Sequence, residues 1–138
     1  MTDATWRDAV RAEVNGLSRA WIELYRWMPE LVEDNEHIDL FVTFHQSDRR
    51  YLLRLRYQDD YTEVGRRETF CNPDDPDDIG PEHWPPEGGA FKTAQQAICI
   101  PATYGFHHKL HLNDRNHPPE TARLGDLLIR MQRVLVPR

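Results

Sequence analysis

A chain of 138 residues suffices for one domain that buries roughly two thirds of its unfolded surface, and leaves no material for a second core. A formal net charge of -6 excludes a nonspecific nucleic-acid binder, which needs a basic surface to displace counterions from phosphates. No apolar run approaches the ~18 residues of a membrane span and no basic-then-apolar leader opens the chain, so a soluble, cytoplasmic protein with no membrane partner is expected.

The first element is a helix over 5–28. Trp6, Val10, Val14, Leu17, Trp21, Leu24 and Met28 recur at steps of three and four, which sets them on one stripe. Thr5 or Asp3 can cap its start. Pro29 ends it, because the residue before a proline is pushed out of the helical region. Trp6 and Trp21, with Tyr25 and Trp27 flanking, read as core at this spacing rather than as a ligand box.

An extended piece at Leu31 and Val32 precedes an alternating run, 37–45, with Ile38, Leu40, Val42 and Phe44 on one face. A polar turn at Gln46, Ser47 and Asp48 leads into a second run, in which Tyr51, Leu53, Leu55 and Tyr57 share a face. Period-two alternation across a short turn predicts an antiparallel hairpin. The turn 59–65 then introduces a shorter strand over 67–71, giving a meander of three to four strands.

From Asn72 to Gly89 periodicity is lost, and prolines, glycines and carboxylates take over. A connection of this length inside a small domain commonly serves a site. Its acidic run, Asp74 to Asp78, lacks the alternating ligands and closing glutamate of an EF-hand loop, and reads as a solvated loop. The chain closes with a helix over about 119–136, whose apolar stripe is Leu124, Leu127, Leu128, Met131 and Leu135.

Two cysteines, Cys71 and Cys99, are too few for a secreted disulfide framework and lack C-x-x-C spacing, so both are expected as thiols, with a disulfide between them left open. Cys99 lies between Ile98 and Ile100, after the long loop and before the histidines 107, 108, 111 and 117. A thiol between apolar neighbours beside an irregular segment suits an acyl carrier, and equally suits a small buried hydrophobe. His107 and His111, at i and i+4, leave a metal reading open as well, with Cys99 or His83 completing a tetrahedral set.

The order of elements and three local stretches resemble the ubiquitin-conjugating enzyme family, the α+β UBC-like fold, and its shortened bacterial members in particular. YLLRLRYQDDY, residues 51–61, resembles that family's third strand and the turn leaving it. TFCNP, residues 69–73, resembles the fourth strand and the start of the loop before the cysteine, and AICI, residues 97–100, resembles the active-site motif. The resemblance implies a single UBC-like domain over 1–138, built as an N-terminal helix, a three- to four-stranded antiparallel meander, a long active-site loop and a C-terminal helix.

It also implies that Cys99 is the thioester-forming residue of an acyl transferase with no cofactor or metal. The partners it implies are a ubiquitin-like modifier and an activating enzyme, with a JAB-type peptidase in the same operon and a role in antiphage defence. The sequence departs from the family where Thr62 follows Tyr61, where Gly65 and Arg66 replace a proline pair, and where no His-Pro-Asn tripeptide precedes Cys99. His107 or His108 is the candidate to stabilise the oxyanion or take a proton in place of that asparagine. A UBC-like binding module without transfer activity is the first alternative, and a zinc-dependent or cysteine-histidine hydrolase the second.

Overall fold

Alternation, more than any intrinsic strand preference, organises the molecule. In the computed structural model, which describes residues 3–100, 103–110 and 123–135 (residues 3 and 107 by backbone only), four strands form one antiparallel sheet in sequence order. They are β1 (Glu30–Glu33), β2 (Ile38–Gln46), β3 (Arg49–Tyr57) and β4 (Arg67–Cys71). The register sets Leu40 opposite Leu55, Val42 opposite Leu53 and Phe44 opposite Tyr51, so the two apolar sets predicted from the sequence meet on one buried face. Phe70 extends that face onto β4, opposite Leu53.

Helices cover this face. α1 (Asp3–Asn15) contributes Trp6 and Val10, and the C-terminal helix, α4 (Leu124–Leu135), contributes Leu124, Leu127, Leu128, Met131 and Leu135, all within one core cluster. The expected C-terminal stripe is therefore found in full. The proposed start of that helix, near Pro119, falls outside the described residues.

The long N-terminal helix is not continuous. α1 stops at Asn15 and α2 (Arg19–Tyr25) begins after Ser18, whose side chain accepts a hydrogen bond from the Trp21 amide. Asn-Gly followed by a serine N-cap is a stop and a restart, which outweighs apolar spacing that runs through it. α2 ends in a left-handed residue, Arg26 at φ 53°, before Pro29 is reached. The break redirects the stripe: Leu24 and Met28 point to solvent, and Trp27 is fully buried in their place.

The segment after β4 is held by aromatic contacts. Trp84, which follows a single 3-10 turn at Pro81–His83, packs edge-on against Phe70 with ring centroids 5.0 Å apart, and Phe91 meets the same ring at 5.9 Å. A short α3 (Tyr61–Val64) fills the turn between β3 and β4. Among the described residues no helix is long and apolar enough to cross a membrane.

Candidate functional site

Cys99 stands at the exit of a small hairpin that the long loop leads into. β5 (Phe91–Lys92) and β6 (Ala97–Ile98) pair antiparallel through a 3-10 turn at Thr93–Gln95, and Gln96 closes the turn at φ 50°. The pairing carries one residue further, because the Cys99 amide donates to the Ala90 carbonyl at 2.6 Å. Extended backbone alternates its side chains, so Ile98 and Ile100 turn into the core while Cys99, between them, is half-buried.

The chain returns to the sheet at Thr103, which bridges Arg66 in parallel fashion, and the Tyr104 amide donates to the Arg66 carbonyl at 3.2 Å. The Thr103 hydroxyl is fully buried. It lies 2.9 Å from the carbonyls of both Ile98 and Ile100, and it accepts from the Phe106 amide at 3.1 Å.

Beneath this turn lies Glu68, which the sequence analysis passed over. It sits on β4 opposite Leu55, with the same parity as Phe70, and therefore on the core face. Its carboxylate accepts from the Gly105 amide at 2.9 Å and the Ile98 amide at 3.3 Å. Burial pushes the carboxyl up to about 7, against the opposing pull of the backbone amides and the Thr103 hydroxyl. Gly105 is required for the approach, since a Cβ there would lie 2.8 Å from the Glu68 oxygen and from the Ala97 methyl. Its parity with Phe70 is visible in the sequence, but its contacts with Ile98 and Gly105 follow only from where the later segment settles.

The two nominated histidines lie on one π-helical turn, Phe106–Leu110. His108 stacks on Tyr104 with ring centroids 4.4 Å apart, the Arg67 guanidinium lies 4.7 Å from the same tyrosine ring, and the His108 Nε2 is buried without a hydrogen-bond partner. For His107 the backbone alone is described, and His111 and His117 fall outside the described residues.

His83 belongs to a different cluster. Its Nε2 lies 2.9 Å from an Asp78 oxygen and 3.4 Å from a Glu82 oxygen, and the bond to His83 holds the Asp78 carboxyl below its ordinary value. These three are the group of metal-ligating side chains found among the described residues. His83 is thus engaged by carboxylates of its own loop rather than held open for a site with Cys99. Cys71 ends β4, buried, with its thiol pushed up to about 11 by that burial, and it forms no disulfide with Cys99.

Chemically, the arrangement presents a half-buried thiol whose main chain is fixed on both sides, with an imidazole on the returning arm. No protein-family model, no curated protein and no solved structure matches the chain.

Proposed function

We propose that the chain is a UBC-like acyl transferase that carries a ubiquitin-like modifier as a thioester on Cys99. The Cys99 thiolate attacks the thioester carbonyl of the modifier held on its activating enzyme. A new carbon–sulfur bond forms and the enzyme's thiolate leaves. An amine then attacks the same carbonyl, the carbon–nitrogen bond replaces the carbon–sulfur bond, and the amine proton passes to a base. His107 and His108 are the candidates for that base, or for stabilising the oxyanion. A JAB-type peptidase in the same operon would reverse the conjugation, within a cytoplasmic antiphage system.

The observation that carries this reading is the setting of Cys99: half-buried between two buried isoleucines, on a hairpin placed by a long loop after a four-stranded antiparallel meander. That order of elements is the one the resemblance leads to expect. The His108 Nε2 without a partner supports an imidazole in reserve on the π-helical turn Phe106–Leu110.

The test is reconstitution with ATP and a cognate activating enzyme and ubiquitin-like protein. Wild-type protein gives an adduct cleaved by reducing agent, and Cys99→Ser gives one that resists reduction and yields to alkali. His108→Ala loads normally and discharges to free amines more slowly. The missing His-Pro-Asn tripeptide favours a second reading, a UBC-like binding module, and the absence of any adduct would select it. Stoichiometric zinc lost on His107→Ala would select the hydrolase instead.

A further inference from the structure

Glu68 belongs to a different strand from the reactive segment, yet it touches both ends of it. One carboxylate oxygen holds the Ile98 amide, which immediately precedes Cys99, and the other holds the Gly105 amide on the returning arm. Thr103 completes the closure through the carbonyls of Ile98 and Ile100. The backbone before Cys99 and the turn after it are therefore tied through two side chains, Glu68 and Thr103.

Among the described residues no charge accounts for this carboxylate. Leu55 faces it across the sheet, and Ala97, Ile98, Thr103 and Gly105 face it from the hairpin and the returning arm. Arg66 directs its guanidinium to Glu13 and Tyr57, Arg67 directs its own to Asp60 and Tyr104, and His108 stacks on Tyr104. Among the described residues no cationic side chain pairs with it; a carboxylate so buried is costly, and its hydrogen bonds go to main-chain groups of the hairpin and the returning arm.

We infer that Glu68 is a positioning residue for Cys99: its carboxylate ties the strand entering the cysteine to the turn leaving it, and so sets how far the thiol is presented to solvent. The inference rests on the reading of Cys99 as the reactive thiol. Burial disfavours ionised Glu68 more than its bonds to the two amides favour it, so the tied arrangement holds best with the carboxyl protonated. The tie therefore loosens as the carboxyl, raised to about 7 by burial, gives up its proton.

The experiment measures alkylation of Cys99 by iodoacetamide, read at that residue by peptide mass spectrometry, in wild type and Glu68→Gln across the pH range from about 5.5 to about 9. The amide keeps the shape and loses the ionisation. Near the lower limit the two proteins react at equal rates, because both carry a neutral side chain in the tie. Above about 8, wild type reacts faster than Glu68→Gln by roughly threefold to tenfold, because only the wild type then holds a buried charge there. A ratio that stays constant with pH would mean a merely structural role, and would overturn the inference.

Should Glu68→Gln fail to fold, amide hydrogen exchange in the wild type decides. Protection of the Ile98 and Gly105 amides falls as pH rises through about 7, and pH-independent protection overturns the tie. Failure of the functional reading is distinguishable from failure of this one. A bending rate ratio without any thioester adduct retains Glu68 and removes the transferase, and the converse pair of results removes Glu68 alone.

Discussion

The indole Nε1 of Trp27 donates to the side-chain Oε1 of Gln132 at 3.1 Å, inside the core and across 105 residues of sequence. It joins the chain leaving α2 to α4, so the break in the N-terminal helix and the docking of the C-terminal one are a single packing decision. Gln132→Ala leaves the indole N–H buried and unsatisfied, which costs about 1–3 kcal/mol. Urea denaturation checks this: the midpoint falls with the slope unchanged.

Arg66 is nearly inaccessible and donates to the Tyr57 hydroxyl at 3.0 Å and to the Glu13 carboxylate. Removing one partner of a buried pair strands the other. Arg66→Met is expected to destabilise by about 3 kcal/mol. Adding Glu13→Gln to that variant recovers part of the loss, and a double-mutant cycle by thermal or chemical melting gives the coupling. Strict additivity of the two single changes would refute it.

Glu68 makes stability depend on pH with a definite sign. Its folded carboxyl is raised to about 7 from an ordinary value near 4.5, so between those values the folded chain holds a proton that the unfolded chain has released. Stability from this group is full below about 4.5 and is lost as pH rises to about 7. Melting curves of wild type and Glu68→Gln across that window should converge at neither end: the wild type loses ground relative to the variant as pH rises, then levels off. A difference that grows in the opposite direction would place the carboxyl in a cation-paired setting, and no pH dependence would place it in solvent.

The sheet was legible because parity is a strong constraint. Ile38 through Phe44 and Tyr51 through Tyr57 place an apolar side chain at every second position, and a one-residue slip would turn all eight off the core face. The apolar stripe of α4 was legible for the same reason. The α1–α2 break was hidden because Leu24 and Met28 continue the helical spacing, although Gly16 and Ser18 carry a capping signal. At the candidate site, Cys99 and its buried neighbours could be read from AICI alone. Glu68 could not, because its role depends on where a segment thirty residues later settles, and a charge in a short strand ordinarily marks a solvent-facing position.

The two margins of the sheet are guarded differently. β1 is four residues long and bears Glu30 and Glu33, while the main chain entering β4 is taken up at Arg66 by the bridge to Thr103. An unpaired, flat border is where one copy of a protein templates the next. Here a stray strand meets carboxylates on one side, and on the other a main chain whose first step is already partnered.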